Sequence, residues 1–396
     1  MKNVSTKPGR WLWAIPIDYS EDGGFWKREG GLVVLGLRML DVDARFVALG
    51  TPGERSDMPL INCTLEQMQQ SAWWKQWGVD AVVLNAWALP FHEPIARAIK
   101  SAGLKLILIM DTEGIVSPHV WPLRYLLQSY FLLKDERRLI PPVGVLFKTG
   151  IRFVRARHAG IMRHLEHGDM IVLPSPLALQ RYARYLSSMR RGDLNSRLRF
   201  IPYAAVKEMT YDPLIPKKHI IIAVGRWQTH QKNTPLLLRV LQRVLTEQPH
   251  YSARIIGSGA EVVKKLAQNL SADCRSRIDI TGKVENAKLP ALYGESRIFL
   301  STSRYESFLI AAGEALCCGC SVVGDARIAT MPYFAGSDSG TVSCNSSVDN
   351  FRDALTAEIN AWQSGERNPT QISQTWQARL HPDRVAQALL KLLEEL

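Results

Sequence analysis

The stretch "SRIFLSTSRYESFLIAAGEALCCGCSVVGD" runs from Ser296 to Asp325. It opens on a short apolar run, "SRIFLSTS", and passes through a polar loop holding Arg304 and Glu306. It then enters a helix of small and apolar residues and closes on a second apolar run, "CSVVGD". Apolar strands that alternate with helices, with no polar face of their own, argue for a parallel sheet covered on both sides. One carboxylate, Glu314, stands in the middle of the apolar helix. Ionised carboxylates are rarely fully buried unless something pairs with them. Glu314 therefore either meets a protein partner, a buried arginine or a backbone donor, or faces a pocket that a ligand fills.

The same alternation extends in both directions. Upstream in the second half lie "HIIIAVGRW" (219–227), "YSARIIGSG" (251–259) and "RIDITGKV" (277–284), with helices between them. The first half repeats it with "WLWAIPI" (11–17), "ARFVAL" (44–49), "DAVVLNAW" (80–87), "KLILIM" (105–110) and "DMIVLPS" (169–175). Helical patterns such as "GGLVVLGLRML" (30–40) and "FHEPIARAIKSAG" (91–103) separate these strands. Three prolines and weak periodicity mark a break over 201–218. This predicts two doubly wound α/β halves facing one another: a first domain over 1–206, a linker over 207–218 and a second domain over 219–380. A terminal helix over 381–396, set off by Pro382, is expected to pack back on the first domain.

Composition fits this frame. A chain of 396 residues is too long for one ordinary core, and 46% hydrophobic with 22% charged residues is the balance of a globular protein. The apolar stretch 116–133 contains two prolines, a histidine and an arginine, which argues against a spanning helix. "WLWAIPI" is short and runs into Asp18, Glu21 and Asp22, so it reads as a first strand and the expected location is the cytoplasm. Cys317, Cys318 and Cys320 crowd one helix end, where small side chains for close packing are the expected role and a lone CxxC is poor evidence for zinc. The net charge of +12 is concentrated in 124–199, which holds 15 basic and 5 acidic residues, a net of +10. Such a belt suits an acidic partner. In "GIRFVRARHAGIMRHLEHGD" (150–169), Arg152, Arg155 and Arg163 share one broad face and Arg157 falls outside it. Trp121, Tyr125, Tyr130 and Phe131 stand among basic residues just upstream. Two readings stay open. The belt settles into an anionic membrane surface as a peripheral contact, or its apolar side packs on the first sheet while the arginines face solvent or a charged acceptor.

The second half carries the chemistry. Gly225 and Arg226 end one strand, and Lys232 follows near a helix start, a placement that suits a phosphate chain. Gly257 and Gly259 allow close backbone approach. Ser307 is placed to cap a helix beginning near Phe308. Glu306 and Glu314 have seven residues between them. Glu314 should therefore lie roughly two turns down that helix, deep in the wall of the site. There a carboxylate can take both hydroxyls of a vicinal diol. In the first half, Asp111 and Glu113 follow a strand end and are candidates to orient or deprotonate a hydroxyl, or to serve as a cap and a solvated turn. Gly30 and Gly31 open a helix near the same edge. "DVD" (41–43) falls at a helix end, away from both sets, and is not read as a metal site.

Together, "AVGRW" with Lys232, "IIGSG", and the run from "ITGKV" through "ESFLIAAGEALCCGCSVV" resemble the retaining GT-B glycosyltransferases of the GT4 family over 219–343. The likeness is weaker in the first half, at Gly30–Gly31, "DMIVLPS" and "RFIPYAAV". The resemblance implies two Rossmann-like domains facing a central cleft and a nucleotide-diphosphate sugar as donor. Arg226 and Lys232 would hold the diphosphate, Glu306 would lie by the donor sugar and Glu314 on the ribose. Gly257, Gly259, Ser307, Phe308 and Leu309 would complete the nucleotide-sugar site. It further implies hexosyl transfer to an acceptor hydroxyl with retained anomeric configuration, with no metal and no cofactor. The acceptor would be a sugar or a lipid-linked sugar. Three departures stand out. Leu309 replaces a frequent glycine, "DARIATMPYF" replaces a Gly-Gly loop, and Tyr203-Ala204 replaces Asn-Gly. Two other readings compete. A sugar-nucleotide epimerase would share the architecture but lacks an assignable acid/base set. A non-catalytic membrane or nucleic-acid binding module would leave the second half's features without a role, and nucleic acid is not the expected partner.

Overall fold

A computed structural model describes residues 9–18, 29–54, 58–85, 92–113 and 151–394, and of 151–157 the backbone alone. The described residues fall into two compact units. Unit 1 comprises those up to 113, 151–206 and those from 381 onward, and unit 2 comprises 207–380.

The sheet of unit 1 contains β1 (Arg10–Asp18), β2 (Asp43–Leu49), β3 (Gly53–Glu54), β4 (Leu60–Cys63), β5 (Ala81–Asn85), β6 (Lys105–Ile109), β7 (Met170–Leu173) and β8 (Leu198–Phe200). Their order is β3-β4-β2-β1-β5-β6-β7-β8, parallel except for the short β3–β4 pair. Strands are added outward on both sides of the β1–β5 boundary. That boundary is the point where open α/β sheets bind ligands, beyond the carboxyl ends of the strands. "AVVLN" of β5 is buried throughout, and in "KLILI" of β6 only Lys105 is exposed, as expected of central strands covered on both faces.

Local chemistry sets the helices. Ser175 accepts from the amide of Ala178 at 3.1 Å, and Pro176 begins the helix Pro176–Ser188. The helix Glu29–Met39 packs on the C-terminal helix Pro382–Leu393 at close range. A Cβ at Gly36 would lie 2.1 Å from the Pro382 carbonyl oxygen, so the two backbones meet where only glycine fits. His381 alone lies between this helix and Pro369–Leu380, which belongs to unit 2.

Unit 2 holds β9 (Lys218–Val224), β10 (Ser252–Ile256), β11 (Ile278–Thr281), β12 (Ser296–Ser301), β13 (Ser321–Asp325) and β14 (Gly340–Ser343). The order is β11-β10-β9-β12-β13-β14, with every pair parallel. Here the switch lies between β9 and β12. Every strand expected from the sequence is present. The strands it does not reveal are β3, β4, β8 and β14, which are two to four residues long and stand at or next to a sheet edge.

The helix Ile151–Glu166 is formed, and Ile161, Met162 and Leu165 on it are buried while Arg163 is exposed. Over that part its apolar side belongs to the core of unit 1. The side chains of Arg152, Arg155 and Arg157, and the whole of 114–150 with Trp121, Tyr125, Tyr130 and Phe131, lie outside the described residues. Among the described residues no helix is long and apolar enough to cross a membrane.

Candidate functional site

Two loops at the switch point of unit 2 are tied together. The loop after β9 carries Arg226 and Lys232 and leads through Asn233, in left-handed conformation, into the helix Thr234–Glu247. The loop after β12 carries Arg304 and Glu306. The Arg304 amide donates to the Gln231 carbonyl at 2.8 Å, and its guanidinium to Asn233 Oδ1 at 2.8 Å. Gln231 Nε2 donates to the Tyr305 carbonyl at 3.0 Å, and Thr302 Oγ1 to that of Lys232 at 3.1 Å. Across this seam Lys232 Nζ donates to Glu306 Oε1 at 2.6 Å, with side chains only 12% and 10% exposed. An ammonium has three donors, and Glu306 takes one of them. The stem of Lys232 runs past Gly225, where a Cβ would come within 3.1 Å of it. Arg226, on the same loop as Lys232, is exposed.

The glycines after β10 have a backbone role. Gly257 has φ +131°, and a Cβ on it would fall 1.8 Å from the Gly225 carbonyl oxygen. Gly259 has φ +81° and precedes the helix Ala260–Ala267, and a Cβ there would strike Gln228. These contacts draw the ends of β9 and β10 together, closed by the Trp227 amide donating to the Ser258 carbonyl at 2.8 Å.

The helix bearing Glu314 corrects one expectation. It runs from Ile310 to Cys317, its N-cap position is Leu309, and no side chain caps it, so Ser307 does not serve as the cap. The chain turns into the helix through Leu309 itself, at φ 62° and ψ 60°. That is a left-handed conformation which costs a leucine what it does not cost a glycine. Phe308 is buried and packs edge-on against Phe334, with centroids 5.1 Å apart.

Glu314 is half-buried, and the hydroxyl of Tyr293 donates to its Oε2 at 3.5 Å. Tyr293 is fully buried in the helix Leu289–Glu295. Burial first, and then the Glu314 charge, raise its pKa well above the usual phenol value, so it stays a donor. This partner is a neutral hydroxyl. Lys217 braces the C-terminal ends of the same helices. Its ammonium donates to the carbonyls of Tyr293, Ser296 and Cys318 at 3.1, 2.8 and 2.9 Å. Burial lowers its pKa, and the thiols of Cys320 and Cys318 oppose that. The Cys320 thiol donates to the Tyr293 carbonyl at 3.0 Å, so this CxxC is engaged in packing. Tyr293 and Lys217 escape sequence reasoning because each reaches its partner across the tertiary fold.

In unit 1 the switch point gathers different groups. Trp13 Nε1 donates to Asn85 Oδ1 at 2.7 Å, and Asn85 Nδ2 to Glu29 Oε2 at 3.3 Å. Gly30 and Gly31 are buried in the first turn of the helix Glu29–Met39, and a Cβ on Gly30 would lie 2.2 Å from the Trp13 indole nitrogen. Asp111, just past β6, accepts from the Tyr203 hydroxyl at 3.0 Å. Burial, then the charges of Asp111 and Glu29, hold that hydroxyl protonated. Glu113 is buried, and its carbonyl accepts from Arg181 at 3.2 Å. Asn85 had a visible signal, as the one polar residue in an otherwise apolar strand. Asp43 of the "DVD" run lies within 3.6–3.7 Å of Arg10, Arg38 and Arg45.

Two parallel Rossmann-like sheets, each with its polar groups at the switch point, define the GT-B fold. Residues 218–360 match the family model described as Glycosyl transferases group 1. Solved structures agree in fold over nearly the whole chain. HepE of Anabaena, in complex with UDP, is 14% identical with a TM-score of 0.67, covering 97% of this chain and 100% of its own. A glycosyltransferase from Rickettsia africae is 14% identical with a TM-score of 0.66, covering 98% and 99%. Sucrose-phosphate synthase from Thermosynechococcus elongatus is 14% identical with a TM-score of 0.63, covering 98% of both chains. No curated protein matches the chain significantly by sequence.

Proposed function

We propose that this protein is a glycosyltransferase that moves a sugar from a nucleoside-diphosphate donor to an acceptor hydroxyl. The carrying observation is the Lys232–Glu306 pair, set across the switch point of unit 2, with Glu306 on the loop that leads into the helix of Glu314. A cation and a carboxylate at that edge suit a diphosphate beside a sugar. Arg226 and the remaining donors of Lys232 would take the phosphate oxygens. Glu306 would face the sugar, where positive charge develops at the anomeric carbon as the leaving group departs. Glu314, steadied by Tyr293, would accept the ribose hydroxyls. Asp111, steadied by Tyr203, would receive the acceptor hydroxyl in unit 1. HepE was solved with UDP, and that supports a uridine nucleotide as the first donor to test. Retention of configuration, the absence of a metal requirement and a hexose as the transferred sugar rest on the family likeness, as does the GT4 assignment.

The test is incubation with a panel of nucleotide sugars, reading released nucleoside diphosphate. Release by the wild type, lost with Glu306→Gln while nucleotide affinity stays within a few fold, is the expected result. Isomerised donor without release would replace transfer by epimerisation, and no nucleotide binding at all would end the reading. The anomeric signal of the product by NMR decides between retention and inversion.

A further inference from the structure

Arg304 stands two residues before Glu306 and holds the chain on both sides of Lys232. Its amide donates to the Gln231 carbonyl at 2.8 Å, and its guanidinium to Asn233 Oδ1 at 2.8 Å. Thr302 Oγ1 donates to the carbonyl of Lys232 itself at 3.1 Å. Three successive residues, 231–233, are thereby tied to the loop that carries Glu306. Asn233 is arranged for this contact. It is 5% exposed and occupies the N-cap position of the helix Thr234–Glu247 at φ 53° and ψ 48°, a left-handed conformation that asparagine tolerates better than most residues. An asparagine at an N-cap usually accepts from the amide two or three residues on. Here its side chain caps nothing. The second helical residue is Pro235, which has no N–H, and the Leu236 amide donates to the Asn233 carbonyl at 2.9 Å. The side-chain oxygen goes to Arg304 instead. Arg304 is exposed, among the described residues no carboxylate lies within ion-pair distance of it, and the charge beside it is another cation, Arg239. A hydrogen bond fixes direction as well as distance. This one sets where the backbone at Lys232 lies, and with it where the ammonium meets Glu306 Oε1 at 2.6 Å.

We propose that Arg304 is a positioning residue for the Lys232–Glu306 pair: through Gln231 and Asn233 it holds the ammonium and the carboxylate in fixed register, so that a phosphate and a sugar are met together. That the pair serves a nucleotide sugar rests on the sugar-transfer reading; the positioning of the pair does not. The variants are Arg304→Met and Asn233→Gly in the full-length protein. Glycine keeps the left-handed turn and deletes the acceptor, with the Arg304 charge in place. The first readout needs no turnover. In urea unfolding, the coupling between Lys232→Met and Glu306→Gln, measured by a double-mutant cycle, should fall to about half or less in either variant background. A general loss of stability leaves that coupling unchanged, so a merely structural role does not move it. The second readout is kinetic, with a nucleotide sugar that the wild type turns over. Each variant should lower kcat about ten- to hundredfold, the effect of a misplacement of about 1 Å, while affinity for UDP stays within a few fold. The two together should lower it little further, because both break one hydrogen bond. Coupling unchanged in the folded variants overturns the proposal. So does kcat lost in Arg304→Met and kept in Asn233→Gly, which would make Arg304 a charge acting at a distance. If Arg304→Met does not fold, Asn233→Gly decides alone. A reduced coupling in a protein that turns over no nucleotide sugar would sink sugar transfer and keep the positioning role. Turnover with the coupling unchanged would do the reverse.

Discussion

In unit 2 the polar side chains sunk deepest include ions. Glu358 is fully buried, held by Arg367 at 2.6 and 3.0 Å and by the Thr341 hydroxyl at 2.7 Å. Asp325 is 2% exposed and paired with Arg327. Among the described residues of unit 1 the polar side chains at the same depth are Asn85, His92, His158, His164 and Ser175, an amide, three imidazoles and a hydroxyl. The two sheets are wound alike, so topology does not account for the difference. A buried ion needs a fixed counter-charge, and a sheet edge built on such pairs presents charge in a set geometry. At the switch point of unit 1 the carboxylates Glu29 and Asp111 instead accept from neutral donors, the Asn85 amide and the Tyr203 hydroxyl. The proposed function follows this contrast, with a charged diphosphate at the edge of unit 2 and an acceptor hydroxyl at that of unit 1.

The comparison breaks first at Lys232. Lys232→Met leaves Glu306 nearly buried without its counter-charge, which should lower stability by about 3–5 kcal/mol. The double variant Lys232→Met/Glu306→Gln removes the stranded charge and should recover most of that loss in urea unfolding. Nucleotide binding should stay weak in both. A single variant as stable as the wild type would show that the pair is solvated, and the contrast between units would lose its main support.

Next comes the neutral side of the contrast. His164 is fully buried, and among the described residues no hydrogen bond reaches either ring nitrogen. Burial, reinforced by His92 and His167, lowers its pKa to about 3. The unfolded chain takes up this proton below about pH 6.5, while the folded one resists until near 3. Stability is therefore fully present above the unfolded value and falls as pH drops through that window, by about 1.4 kcal/mol per unit. His164→Leu should flatten the slope by close to one proton. An unchanged slope would mean that another group carries the acid sensitivity of the protein.

The sequence showed the strands because buried parallel strands are written as apolar runs, "KLILI" and "SRIFLS" among them. It showed Glu306, Glu314 and Lys232 because charge is conspicuous in such surroundings. It did not show that Lys232 and Glu306 pair, or that Glu314 meets Tyr293, because those partners lie 74 and 21 residues apart and meet only through the sheet. It misplaced the helix start by reading Ser307 as a cap. The deciding feature was the φ of Leu309, which depends on how Phe308 and Leu309 are buried and on no local signal. In unit 1 each group at the switch point is a single residue from a different element, so no motif gathers them.

The finest test concerns Leu309, where a left-handed turn is made by a residue that resists it. Such strain costs about 1–3 kcal/mol. The side chain is only 4% exposed, and truncating a buried leucine costs about 2–5 kcal/mol. Leu309→Gly sheds the strain and loses the burial, so a net loss of about 1–2 kcal/mol follows from the middle of the two ranges. Leu309→Ala loses most of the burial and keeps the strain. Glycine should therefore be the more stable of the two by about 1 kcal/mol, against the usual order in which alanine wins. Chemical denaturation of both variants reads this directly. Alanine above glycine would mean that the turn relaxes to an ordinary helical start. Nucleotide affinity should move with the same sign, because the turn fixes where the helix carrying Glu314 begins.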